Sequence, residues 1–384
     1  MRHLLNLFRN EEIAAPEAAR QLNLSRRHFY DLYSDYLRAC AYHQQDRWTP
    51  GVSGGNHQPP WPQAVTELFT KFLCARPPLS YSFAASEVHR RTGHKLDRAT
   101  VRRWALAHHL AHAQPLVRPK APVKRWQRQR IGELWQLDAS PHPWFPGSKT
   151  QYPMLNLMDD CSRLFTGARL YERELLLSYF DFLPAAFAQH GLPLCLYVDY
   201  HSLFFTHSED GLTQLGWALK FYDISLDYAP TPQAKGKVER NHQFWQHRLP
   251  ALFAAEGIAD LAPANGLIDS LRRHHNAHEK HRELAMTPLL AWKRAQKEGR
   301  TVLRPKPKCP WWAYVWSVRT RLKVASDGTV PVGSHRFPLT VPPGTPVIRC
   351  QHPDGRFTVL LHPPAHGKKP IRLLEYGSDS KVRV

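Results

Sequence analysis

Three acidic residues stand where chemistry could gather. Asp138 closes the apolar run Leu134-Trp135-Gln136-Leu137, Asp199 closes Leu194-Cys195-Leu196-Tyr197-Val198, and Glu239 follows a turn marked by Pro232 and Gly236. The first two runs are short and continuous enough for strands covered on both faces. Ligand sites in open α/β sheets gather at such strand ends. From Lys235 onward Val238, Trp245 and Leu249 recur at helical spacing, which predicts a helix with Glu239 on its adjacent polar face, near the start, where the macrodipole favours an anion. Brought together, three carboxylates repel one another unless hard divalent cations neutralise them. Two Mg2+ ions about 3.5–4 Å apart, with Mn2+ able to substitute, would clamp the attacking and leaving oxygens of an in-line phosphoryl displacement.

The residues around these acids carry a resemblance. WQLDAS at Asp138, LYVDYHSLF at Asp199 and PQAKGKVER at Glu239 resemble the Asp-Asp-Glu triad of insertion-sequence transposases of the retroviral-integrase type, and the last two acids lie 40 positions apart, within the range of that family. MDDCSRLFTGARLYERE, residues 158–174, is similar to the family's second and third strands, and YDISLDYAPTPQAKGKVER to the segment leading into its last acid. The likeness spans roughly residues 130 to 295. It implies a ribonuclease H-like core with a mixed sheet, and Mg2+-dependent 3′-end hydrolysis at element ends followed by strand transfer. The implied partners are double-stranded DNA, as terminal repeats and target, and further copies of the chain assembled on it. One departure stands out: the family commonly follows its second Asp with Asn-Gly, where this chain has Asp199-Tyr200-His201-Ser202. His201 is open to three readings, as a general base, a DNA contact or a plain loop residue. The altered turn also leaves room for a sequence-specific DNA-binding regulator that retains an inactive core. A nuclease without strand transfer would share the same site.

Charge is distributed unevenly. The formal net charge is +20, made of +12 over residues 1–130, −3 over 131–299 and +11 over 300–384. Basic flanks around a slightly acidic centre suit arms that grip a polyanion beside a carboxylate site. Lys235, Lys237 and Arg240 are the candidates for phosphate contacts beside Glu239. The six cysteines form no Cys-x-x-Cys pair and no secretory leader is recognisable, so a bacterial cytosol or nucleoid is expected. No apolar run approaches the ~18 residues needed to cross a bilayer.

The elements that position the triad follow from the chain order. Residues 1–48 predict a helix-turn-helix module: a helix through Leu22, a turn at Asn23, and a helix capped by Ser25 that opens with Arg26, Arg27 and His28. Residues 49–60, rich in Gly and Pro, predict a linker. Residues 61–112 predict a second helical module, with Pro62 to Ala75, Ser82 to Thr92, and a capped third helix that presents Arg98, Arg102 and Arg103. Residues 113–130 predict an extended basic strap, with Lys120, Lys124 and Arg125 as DNA contacts.

Within the catalytic core, 131–298, the expected order is three strands, then alternating helices and strands. Asp159 and Asp160 read as a tight turn between two strands. His274, His278 and His281 share one face of a predicted helix, but no fourth zinc ligand accompanies them; Asn276, His281 and Thr287-Pro288 match landmarks of the family's closing helix. Residues 299–384 predict a small β-barrel, with Asp327-Gly328 and Asp354-Gly355 as hairpin turns.

Overall fold

In the computed structural model, Ala15, Ala18 and Ala19 give one short helix a face small enough for Phe29 and Tyr36 of a longer helix to join it in a buried cluster. The residues described are 1–41, 60–111, 127–199, 202–204, 212–229, 236–333, 335–377 and 382–383, with the backbone alone for 236–239 and 382–383. They fall into two units, Met1–Trp61 and Pro62–Val384. The first holds α1 (Arg2–Arg9), α2 (Ala15–Gln21) and α3 (Arg26–Ala41). Asn23 turns the chain between α2 and α3 at φ +53°, and the Ser25 hydroxyl accepts from the His28 amide at 3.3 Å. Arg26, Arg27 and His28 are exposed at the start of α3. Most of the predicted linker and most of the basic strap, including Lys120, Lys124 and Arg125, lie outside the described residues.

The second unit opens with α4 (Gln63–Cys74), α5 (Tyr81–Thr92) and α6 (Arg98–Ala107). Asp97 caps α6 through the amides of Ala99 and Thr100, which leaves Arg98, Arg102 and Arg103 exposed on the first turns. There follow β1 (Trp135–His142), β2 (Tyr152–Asp159), β3 (Phe165–Leu170), α7 (Leu176–His190), β4 (Cys195–Val198), α8 (Gln214–Phe221) and β5 (Ser225–Tyr228). The strands form one mixed sheet ordered β3-β2-β1-β4-β5, with β1, β2 and β3 antiparallel and β1, β4 and β5 parallel. Gly167 of β3 lets α7 approach closely, since a Cβ there would meet the Phe182 ring at 2.8 Å.

Beyond the sheet come α9 (Gly236–Gln246), α10 (Leu249–Glu256), α11 (Leu261–His278) and α12 (Pro288–Lys297). Two expectations are corrected here. The helix expected to run from Lys235 past Leu249 breaks after Gln246, because Trp245 and Leu249 are both fully buried and the break at His247–Arg248 lets each reach the core. The three histidines do not share a helical face either. α11 ends at His278, Glu279 is extended at φ −89°, and His281 lies beyond in a bridge with Met286. At that break the Glu279 carboxylate accepts from both terminal nitrogens of Arg248 at 2.7 and 2.8 Å.

Residues 301–304 then return to the sheet, where Thr301 bridges Ile131 and Arg304 bridges Leu192. After α13 (Trp312–Val315) the chain forms β6 (Val318–Lys323), β7 (Thr329–Val332), β8 (His335–Pro338), β9 (Pro346–Gln351), β10 (Phe357–Leu360), β11 (Arg372–Tyr376) and β12 (Val382–Arg383). The sheet β12-β11-β10-β9-β6 and the hairpin β7-β8 are separate, and among the described residues no pairing closes them into a barrel. Asp354-Gly355 joins the paired strands β9 and β10 as expected, and Asp327-Gly328 makes the expected tight turn, with Gly328 N donating to Ala325 O and Ala325 N to Thr329 O at 2.9 Å each, although the strands β6 and β7 on either side of it pair with other strands. β6 pairs with β9 and β7 with β8, which lets Val330 and Val332 pack over Val347, Val359 and Leu374.

Candidate active site

The site follows from how β1 sorts its side chains. Trp135 and Leu137 belong to the main core, where the Trp135 ring lies 5.9 Å from Phe187 of α7. Alternation then sends Gln136, Asp138 and Ser140 to the opposite face. Asp138 is therefore not at a strand end as expected. It sits mid-strand, opposite Asn156, and β1 continues to His142 because β2 keeps pairing with it through Tyr152. The neighbour that stops is β4, at Val198.

β4 runs parallel to β1 with Trp135 beside Leu196 and Gln136 beside Tyr197. Two residues further along are Asp138, inside β1, and Asp199, the residue just past the end of β4. Asp138 is half-buried and Asp199 exposed. The buried Tyr179 phenol, which donates to Glu174 at 2.6 Å, is pushed well above the usual tyrosine range by burial, by Glu174, and by the charges of both Asp199 and Asp138.

Helix α9 lies across this face. His242 Nε2 is 3.4 Å from Asp138 Oδ2, Gln246 Nε2 donates to Ser140 Oγ at 3.1 Å, and the Asn241 amide lies 3.2 Å from Met158 Sδ. Residue 239 is in α9, one turn before His242; its side chain and that of Lys237 lie outside the described residues, as does all of Lys235. Arg240 is exposed and pairs with Glu283 at 3.2 Å. His201 is outside the described residues. Among the described residues no group of three His, Cys, Asp or Glu side chains forms a metal-ligand cluster. What the described residues contribute is the carboxylates of Asp138 and Asp199, hard oxygen donors of the kind Mg2+ takes.

Asp159 and Asp160 are spoken for. Asp159 accepts from the Gly132 amide at 2.9 Å, Trp135 Nε1 at 3.1 Å, and the Ser162 amide and hydroxyl at 2.8 and 2.6 Å. Burial still pushes its carboxyl up to about 6, against the hydrogen bonds from Ser162 and Gly132. Asp160 accepts from Arg128, Gln136 and Arg163 at 2.6 to 2.9 Å. Both are fully buried and fasten the β2–β3 turn to β1. His242 reads in the sequence as a polar neighbour of Glu239 on the same helix face, not as a site residue. Its signal was its place three residues after Glu239.

No protein-family model matches the chain. It is 30% identical over 212 residues to y4bF of Sinorhizobium fredii, whose name carries a provisional transposase designation; the match covers 54% of this chain and 45% of that protein. It is 36% identical over 156 residues to the transposase for insertion sequence IS1202 of Streptococcus pneumoniae, covering 39% of this chain and 32% of that protein. The matched stretch thus spans less than half of either relative. Among solved structures it is similar to the HTLV-2 integrase catalytic core in complex with magnesium, at 16% identity and TM-score 0.34 over 42% of this chain and 97% of that one. The BIV integrase catalytic core is similar at 19% identity and TM-score 0.33, over 44% and 98%. The chain is related by sequence to transposases of insertion sequences.

Proposed function

We propose that the chain is a DNA transposase in which Asp138, Asp199 and Glu239 hold two divalent cations, Mg2+ in the first instance. The observation that supports this reading is the parallel pairing of β1 and β4, which carries Asp138 within one strand and Asp199 just past the end of the other, with α9 laid against Asp138. When bound, such ions neutralise charge on the attacking and leaving oxygens of a phosphodiester and ease deprotonation of the attacking water or hydroxyl. The protein's own work is to hold the carboxylates at fixed spacing on rigid strands and a helix, so that little reorganisation is needed at the moment of reaction. Hydrolysis at an element end would free a 3′-hydroxyl. The same in-line displacement, with that hydroxyl as nucleophile, would then join it to target DNA.

DNA would be held by Arg26, Arg27 and His28 on the helix-turn-helix formed by α2 and α3, by Arg98, Arg102 and Arg103 on α6, by Lys120, Lys124 and Arg125 in the strap, and by Lys235, Lys237 and Arg240 beside the site. The C-terminal β-rich segment, at +11 over residues 300–384, would add to that grip, and two element ends would be processed by more than one copy of the chain.

The test uses terminal-repeat DNA with Mg2+. Asp138→Asn, Asp199→Asn and Glu239→Gln are each expected to lower cleavage and joining at least 1000-fold, about 4 kcal/mol in the barrier, while gel-shift affinity stays within threefold. Binding without cutting by the unsubstituted chain would instead favour the regulator. Cutting without joining would favour the nuclease.

A further inference from the structure

We propose that the cleft bounded by α5, α9 and the residues just after α11 seats one backbone phosphate of double-stranded DNA, with Lys280 as its cation. The inference rests on the reading that the chain acts on DNA. The cleft measures about 550 Å³, within the range of pockets that take whole ligand groups. Its floor is locked. Arg248 gives both terminal nitrogens to the Glu279 carboxylate at 2.7 and 2.8 Å, and its guanidinium lies over the Phe244 ring at 3.8 Å and the Phe83 ring at 4.9 Å. Glu279 also accepts from Ser86 Oγ at 3.4 Å and bonds His275 Nδ1 at 3.1 Å. Among the described residues it is the one carboxylate that lines the cleft, and it is already neutralised.

The rim is the reverse. Ser82, Gln243, His247 and Lys280 are exposed, and among the described residues no hydrogen bond or ion pair engages their side chains. Lys280 therefore brings a charge that nothing in the cleft offsets, and Ser82 and Gln243 bring uncharged donors beside it. A phosphodiester carries one negative charge and two free oxygens, and Lys, Ser and Gln are among the side chains that bind such oxygens in protein–DNA contacts. The net charge of +20 favours a polyanion as the source of that group.

Helix α9 separates this cleft from Asp138. His242 and Gln246 face β1, whereas Gln243 and His247, four positions apart, line the cleft. A helix with its side chains is about 10 Å across, and a DNA strand advances about 3.4 Å per nucleotide, so the seated phosphate is expected about three nucleotides from the element end.

The test neutralises one phosphate at a time with methylphosphonate in a terminal-repeat duplex and reads equilibrium binding by the full chain without divalent ions, so no turnover is needed. One position about three nucleotides from the element end is expected to cost about fivefold in affinity, and Lys280→Gln to cost about as much while flattening the dependence of log Kd on log salt by about 0.9. In Lys280→Gln the same methylphosphonate should then cost less than about twofold, because one contact cannot be lost twice. Gln243→Ala should blunt the same position more weakly. Both side chains are exposed, so the variants are expected to keep the melting temperature of the unsubstituted chain. Additive losses at every position within about six nucleotides of the end overturn the seat and leave the transposase reading standing. Binding without cutting, the outcome that favours the regulator, still lets this cycle decide the seat. Absence of any binding to the duplex overturns both readings.

Discussion

His190 shows how a single side chain ties the fold to pH. It ends α7 with its ring 5.9 Å from the Trp292 ring, and its buried Nε2 has no hydrogen-bond partner among the described residues. Burial, reinforced by the Arg272 cation, lowers its pKa from 6.5 to about 4. The folded chain therefore stays unprotonated in a range where the unfolded chain takes up a proton, so stability is complete above pH 6.5 and is lost as pH falls toward 4. The loss is at most about 3 kcal/mol from this residue. Burial shifts His274, His281 and His352 in the same direction. Asp159, raised to about 6, acts oppositely between its unfolded value of 3.8 and 6, where the folded chain holds the extra proton and stability falls as pH rises. His190→Gln should flatten the acid limb, with the drop in urea midpoint between pH 6.5 and 4 reduced relative to the unsubstituted chain; an unchanged limb would show that His190 is protonated in the folded state. At this scale the sequence was legible where chemistry is local. Asp138 and Asp199 announce themselves by ending apolar runs, and Asp159-Asp160-Cys161-Ser162 announces a turn. His190 was not legible, because its surroundings are assembled from α7, α11 and α12.

At the scale of elements, the informative case is the open edge of the sheet. Among the described residues β3 has no strand beyond it, and an exposed edge is a template for unwanted pairing. Helix α11 closes that edge with side chains: Asn276 accepts from the Phe165 amide at 3.1 Å and donates to its carbonyl at 3.0 Å, and Asn265 does the same for Leu170 at 2.8 and 3.0 Å. Arg272 adds a bond to the Phe165 carbonyl at 3.0 Å. Each Asn thus imitates the amide of a missing strand. Asn276 is buried at 6% exposure, so Asn276→Ala leaves a backbone amide unsatisfied and should cost about 2 kcal/mol; Asn265→Ala, at a partly exposed site, should cost less. Hydrogen exchange at the Phe165 and Leu170 amides would report each loss separately. The helices and most strands could be read from periodicity, whereas this edge closure could not, because nothing in an isolated Asn tells which backbone it will meet. The same limit explains β1. Trp135-Gln136-Leu137-Asp138-Ala139-Ser140 does alternate, but Leu134 and the large Trp135 made the run look continuous, and the reading placed Asp138 at an end. It also explains α9 and α10, where the burial of both Trp245 and Leu249 demanded a break that a single helical period cannot express.

At the scale of the whole second unit, ion pairs join the three helices α4 to α6 to the mixed-sheet body. Glu256 at the end of α10 receives Lys71 of α4 at 2.9 Å and Arg91 of α5 at 2.8 Å. Arg91 also reaches Glu87, which is fully buried and is bound in parallel by Arg90 at 2.8 and 2.9 Å. Arg90 in turn donates to Ser270 of α11 at 3.2 Å, and Arg248 lies over both the Phe83 ring of α5 and the Phe244 ring of α9. A basic helical module and a core could each be read from the residues, but a fixed attachment between them could not, since Glu256 and Lys71 are 185 positions apart. That attachment means that the arginines of α6 keep a set direction relative to α9. Most of these pairs are partly exposed, and exposed pairs are worth well under 1 kcal/mol each once solvent screens them. Glu256 accepts two at once and is one-fifth exposed, which places its loss higher, at about 1–2 kcal/mol. In Glu256→Gln, amides of α4 and α5 should exchange roughly tenfold faster while those of β1 and β2 keep their protection, and raising the salt concentration should narrow the gap between the two proteins. If α4, α5 and the sheet lose protection together, the helices and core unfold as one cooperative body and charge is not what joins them. If neither changes, the attachment rests on the apolar contacts around Phe83, and a matching measurement on Phe83→Ala would then carry the loss.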